Sequence, residues 1–340
     1  MKLPLHNTAG MAFLAGIALS TPAFAVVTID YVTVGNAGNA ADPADGDQNT
    51  AGVQNFGAVA YAYKIGKYEV TNAQYTEFLN TADPSGANAN GIYNSNMGND
   101  IRGGITFTSV AASGAKYTIR TSMGNKPVNY VSWYDAARFT NWMHNGQGSG
   151  STETGAYTLT GSTGLPTRNV GATVWLPSEN EWYKAAYYDP TPGAGGGDNY
   201  WNQATRSNTA PTVGTANATG DISNPGANVA NYALGADWNG QDGNVTTVGS
   251  AGALAESYFG TADQAGNVWE WSDAVTGSSR GRRGGSWDYG SGFLPASYRF
   301  ASTPTNENFA VGFRVASVPE PSALLLTMIA ASVSLTRRRR

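Results

Sequence analysis

The sequence predicts a single α+β domain in which loops outweigh regular elements. Three observations carry this expectation. Short segments alternating apolar and polar residues recur from Val26 to Val315, as half-buried strands do. Three helix starts carry a capping signal, namely Thr71 with Gln74, Ser132 with Asp135 and Ser178 with Glu181. Glycine is abundant (43 of 340 residues) while charged residues make up only 13%, a balance that favours turns and a neutral surface.

Residues 1–25 read as a secretory leader, with Lys2, an apolar run from Met11 to Leu19 and the small-x-small site Ala23-Phe24-Ala25. Residues 26–55 form an N-terminal strand and linker. Val27, Ile29 and Tyr31 alternate up to Val34, and a Gly/Ala/Asn/Asp-rich loop follows. The main domain spans 56–317, and no linker interrupts it. Tyr61 to Val70 reads as a strand that runs into a helix opened by Thr71, with Tyr75, Phe78 and Leu79 inward. A polar insertion near 83–104 precedes strand-like Ile105 to Ile119.

Ser132 opens a second helix lined by Ala136, Ala137, Phe139, Thr140 and Trp142. Ser178 opens a third, in which Glu179 and Glu181 read as cap residues rather than as an acid/base pair. Residues 189–260 lack periodicity. Arg282 to Trp287, Tyr298 to Phe300 and Val311 to Val315 read as strands closing one core.

Composition excludes several chemistries. Cysteine is absent, so there is no disulfide, thiolate nucleophile or thiolate metal site. His6 lies in the leader, which leaves His144 as a structural or surface residue and rules out sites built on several histidines. Apart from Arg337 to Arg340, the chain holds 16 basic against 24 acidic residues, which argues against a nucleic-acid partner.

The densest chemistry lies in Asp263 to Trp271 (DQAGNVWEW). Asp263 and Glu270 offer carboxylates to a hard cation such as calcium, with carbonyls of Gly266 and Val268 between them. The same stretch also reads as a turn feeding a core strand, with exposed acids. Trp269 and Trp271 share one face of it. Asn231-Tyr232 and Asp242-Gly243-Asn244 are further oxygen-rich turns, either a second cation site or plain Asx turns.

Six ordered motifs resemble one family over residues 55–317. They are Glu69 to Tyr75 (EVTNAQY), Pro127 to Trp133 (PVNYVSW), Leu176 to Trp182 (LPSENEW), Gly266 to Trp271 (GNVWEW), Arg283 to Trp287 (RGGSW) and Gly312 to Arg314 (GFR). Together they resemble the formylglycine-generating enzyme, or sulfatase-modifying factor, family. The resemblance implies a C-type-lectin-like α+β fold with little regular secondary structure, stabilised by calcium. One implied site uses Asp263, Gly266, Val268 and Glu270; the other uses Asn231, Tyr232, Asp242 and Asn244. It also implies a surface groove that includes Trp269 and Ser286. The tail Val318 to Arg340 resembles a PEP-CTERM sorting signal. Its thirteen mostly apolar residues, Ala323 to Leu335, span about 20 Å as a helix, short of a roughly 30 Å bilayer core.

The chain departs from the family where its chemistry resides. Formylglycine generation in the family relies on two cysteines after the Gly-Gly-Ser motif, and here Tyr289 stands where the first is expected. A phenol does not replace a thiolate as a soft copper(I) ligand, and the histidines of the iron-dependent branch are missing, so neither copper nor iron is expected. The sequence therefore suggests an exported binding or structural module of the bacterial cell envelope, surface or matrix. Trp269, Trp287, Arg283 and Arg299, with Ser286 and Tyr289, would face a peptide or glycan. The alternatives are a formylglycine-generating oxidase and another catalytic variant of the family.

Overall fold

The computed structural model describes residues 26–43, 55–159 and 165–319. The expected leader, the sorting tail beyond Pro319 and part of the N-terminal linker lie outside these residues.

In chain order the first elements are β1 (Tyr31–Val34), β2 (Tyr63–Gly66), α1 (Asn72–Ala82), α2 (Asn96–Asn99), β3 (Ile105–Phe107) and β4 (Tyr117–Ile119). Then come α3 (Trp133–His144), β5 (Val174–Trp175), α4 (Glu179–Tyr187), β6 (Thr212–Val213) and β7 (Val229–Ala230). The chain closes with β8 (Trp269–Thr276), β9 (Ser279–Arg283), β10 (Phe300–Ser302), β11 (Val311–Phe313) and β12 (Ala316–Ser317).

Each of the three expected caps forms a reciprocal box. Thr71, Ser132 and Ser178 accept from the backbone N–H three residues on, and Gln74, Asp135 and Glu181 return the bond to the cap N–H. Two orphan donors are satisfied at each start, which fixes where these short helices begin. The expected strand Ile105 to Ile119 is instead a hairpin, β3 pairing antiparallel with β4. Its middle contains Ser113-Gly114, and Gly114 has a positive φ that a continuous strand does not accommodate.

Two four-stranded sheets frame the domain, in the orders β1-β2-β12-β5 and β10-β9-β8-β11. Strand β8 is central in the second. It runs parallel to β11, with Trp269 opposite Val311 and Trp271 opposite Phe313, and antiparallel to β9. Between the layers α1 and α3 bury an aromatic stack. Phe139 lies 5.5 Å from Phe78, 5.7 Å from Trp142 and 5.4 Å from Phe313 between ring centroids. Such pairs add directional packing to area burial, which holds these helices on β11.

Candidate functional site

The two acids of the central stretch are neither exposed nor open. Glu270 sits on β8 with no exposed side-chain surface, and Arg314, equally buried, closes on it. Arg314 Nε donates to Glu270 Oε2 at 2.5 Å and Nη2 to Oε1 at 2.6 Å, while Trp182 Nε1 donates to Oε2 at 2.7 Å. Both oxygens of Glu270, expected as a metal carboxylate, thus already have partners. An interior carboxylate needs a counter-charge, and the arginine two residues beyond β11's Gly312 is placed to supply it.

Asp263 is held by the backbone N–H of Gly249. Burial pushes its carboxyl up to about 6, against that N–H and the nearby Arg314. Glu69 joins the cluster, pushed well above the usual carboxylate range first by burial and then by Asp263. Its Oε1 accepts from Asn267 Nδ2 at 3.1 Å, whereas Oε2 has no hydrogen-bond partner.

The two oxygen-rich turns meet. Asn267 N donates to the Asn231 carbonyl at 2.8 Å, and Asn231 Nδ2 donates to the Asn244 carbonyl at 2.9 Å. Gly266 lies so close, at φ +87°, that a Cβ there would fall 2.1 Å from the Asn231 carbonyl oxygen. Only glycine allows this approach. Asn231 Oδ1 is buried and unpartnered, so it fits a hard-cation role, whereas Asn244 Oδ1 already accepts from Val245 N at 2.9 Å. The first set fits less well, because Glu270 is committed to Arg314. Tyr232 OH points away to the Pro211 carbonyl, and Asp242 is exposed, its carbonyl accepting from Arg102. Among the described residues no three histidine or acidic side chains form a metal-holding group.

The expected groove residues divide into two groups. Arg283 and Arg299 turn inward, both to Glu179. Their Nε atoms each donate to Glu179 Oε1 at 2.9 Å, and Arg299 Nη2 reaches Oε2 at 2.5 Å. Two guanidiniums in a protein interior require such a carboxylate, so Glu179 on α4 ties the sheet to the helix. Ser286 is buried and donates to Asp288. Trp287 is buried against Phe309, with the Arg102 guanidinium 4.8 Å from its ring.

Trp269 and Tyr289, by contrast, belong to an aromatic surface. The Trp269 ring is nearly buried and is surrounded by Tyr289 at 5.6 Å, Phe300 at 5.9 Å, Tyr298 at 6.0 Å and Phe293 at 6.5 Å. Tyr289 is 36% and Phe300 38% exposed, so the cluster presents rings to solvent. Arg282 lies beneath, its guanidinium 5.0 Å from the Phe300 ring and donating to Ser302 Oγ.

Sequence reasoning missed Phe293, Tyr298 and Phe300 as partners of Trp269. The alternation Tyr298-Arg299-Phe300 carries the signal: it puts the two rings on one side of Arg299 and the guanidinium on the other. Chemically this face can stack on planar or apolar groups. The remaining histidine, His144, bonds Thr173 through Nδ1.

The comparisons agree with this architecture. The chain is similar in structure to Treponema denticola variable protein 1, at 19% identity over 87% of this chain and 98% of that one, with a TM-score of 0.52. It is likewise similar to CarF, at 20% identity over 87% of this chain and 100% of that one, with a TM-score of 0.53. At these identities the likeness shows the fold alone. No curated protein matches the chain. Residues 26–318 match the FGE-sulfatase family, the sulfatase-modifying factor enzyme 1-like domain. With its six ordered motifs and this match across most of its length, the chain belongs to the FGE-sulfatase family.

Proposed function

We propose that this protein is an exported, non-catalytic binding module on the FGE-sulfatase scaffold. Its ligand face is the aromatic surface around Trp269, and its ligand is a peptide or a glycan. One observation carries the reading: the chain has no cysteine, and Tyr289, where the family resemblance places the first one, packs edge-on against Trp269. A thiol-based oxidation has no nucleophile here, while exposed rings over a buried indole suit recognition by stacking. Calcium would be held at the turn of Asn231, through its free Oδ1, and would stabilise the turns beside this face. The tail from Val318 would serve as a sorting tag handled by the cell-envelope machinery.

The test is a screen of the purified chain against glycan and peptide arrays, with Tyr289→Ala/Phe300→Ala as the control. Both side chains are more than a third exposed, so their loss leaves the fold intact. Binding that disappears in the double variant supports the reading. Oxygen uptake with a cysteine-containing sulfatase peptide and copper would overturn it in favour of an oxidase.

A further inference from the structure

Five arginines are buried among the described residues, and four of them hold a carboxylate: Arg280 on Asp273, Arg283 and Arg299 on Glu179, and Arg314 on Glu270. Arg282 is the exception. It is 7% exposed, and its guanidinium bonds only neutral oxygens. Nη2 donates to Ser302 Oγ at 2.5 Å and Nη1 to Asn306 Oδ1 at 3.4 Å, while Nε has no hydrogen-bond partner. Trp271 and Phe300, its cross-strand neighbours on β8 and β10, set their rings 5.2 and 5.0 Å from it. Ring faces and neutral oxygens offset part of the desolvation of a cation but leave its net charge standing. Burial pulls the guanidinium down only to about 10, so the charge persists at neutral pH.

This charge lies at an edge of the aromatic face. Strand β10 is the outer strand of its sheet, Phe300 on it is 38% exposed, and Ser302 and Asn306 are half-buried. An anion arriving there meets a planar donor already desolvated and held between two rings, the setting in which a carboxylate–guanidinium bond is strongest. The guanidinium is only 5.0 Å from the centre of the Phe300 ring. A ligand that stacks on Phe300 must therefore carry its anion directly beside the stacked group. A hexuronate does so, because its carboxylate is bonded to the same ring whose C–H face stacks on an aromatic side chain. An acidic side chain of a peptide holds its carboxylate on a flexible stem and has no flat face of its own.

We propose that the aromatic face binds an acidic glycan, with a hexuronate ring against Phe300 and its carboxylate on Arg282. The ligand then supplies the counter-charge that the fold gives to every other buried arginine among the described residues. This inference rests on the reading of the Trp269 surface as the ligand face and names the class of ligand it takes.

The test is calorimetric titration of the full chain with oligogalacturonate, oligomannuronate and oligoglucuronate, each beside its carboxyl-reduced form. At least one acid should bind about ten-fold or more tightly than its reduced form, the worth of a hydrogen bond between charged groups. The difference should shrink with added salt. Arg282→Met should erase it, and because the lost charge had no internal partner, the denaturation midpoint of this variant should not fall. Ser302→Asp keeps Arg282 in place and sets a carboxylate beside it. That variant should also erase the difference, while its own midpoint rises. Equal affinity for acidic and reduced forms, or a difference that survives either variant, would overturn the acidic-glycan assignment and leave the aromatic face as a binding surface. So would no binding of any of the three acids, or binding of an acidic peptide in their place. The ligand face itself falls on a separate result, binding that Tyr289→Ala/Phe300→Ala leaves unchanged.

Discussion

Arg314 and Glu270 face each other with no exposed side-chain surface, joined through two hydrogen bonds. Arg314 also donates to the carbonyls of Gly66, Lys67 and Ala262, so one guanidinium ties β11, the end of β2 and the turn before β8. Removing one partner leaves an uncompensated interior charge. Arg314→Met should therefore lower stability by about 3–5 kcal/mol, and combining it with Glu270→Gln should restore part of that loss. Urea unfolding of the three variants measures both effects; additive losses would mean that the two side chains are not coupled.

Calcium should raise the melting temperature if the Asn231 turn holds it. At a hundred-fold excess over its dissociation constant a bound ion adds about 2.7 kcal/mol. Asn231→Leu should abolish the calcium-dependent rise, whatever its own baseline. A rise that survives Asn231→Leu but is lost in Asp263→Asn would move the ion to the first turn.

Asp273 makes stability depend on pH. Burial pushes its carboxyl up to about 7, although Arg280 lies 2.9 Å away and opposes the shift. The folded state therefore binds this proton where the unfolded chain, with an ordinary carboxylate, does not. The contribution is fully present below about pH 4 and is lost as pH rises toward 7. Denaturation midpoints measured from pH 4.5 to 7.5 should fall less in Asp273→Asn than in the parent; parallel curves would remove Asp273 as the cause.

Ser178→Ala should cost about 1 kcal/mol, since the hydroxyl accepts from Glu181 N at 3.2 Å and opens α4. The loss should appear as a lower denaturation midpoint with an unchanged slope, because the surface exposed on unfolding stays the same.

Much of this domain is local and was legible in the chain. The boxes at Thr71, Ser132 and Ser178 are three-residue relations, and a side chain so near its backbone partner needs no tertiary information. Period two likewise marked β2, β8 and β11, and the apolar face of α3 from Ala136 to Trp142 is buried as its spacing required. The family was legible for a related reason: its motifs are short and lie in order. The Ile105 to Ile119 segment shows the limit. Alternation continued through a turn that only the pairing of β3 with β4 reveals.

What the charged side chains outside the capping boxes do was settled by the tertiary structure alone. In sequence, Glu270 is an acid beside a Gly-Asn turn, a plausible cation ligand, and Arg283 and Arg299 are anchors near a surface. In the fold Arg314 arrives from 44 residues away to claim Glu270, and Glu179, more than a hundred residues distant from both arginines, draws them inward. Phe293, Tyr298 and Phe300 gather on Trp269 in the same way. The physical reason is that interior electrostatics and ring packing depend on distances in space, which the chain sets only when its loops close. The sequence by itself determined the helix starts, the strand faces and the loss of thiol chemistry; which acids are neutralised and which rings reach solvent was decided by the fold.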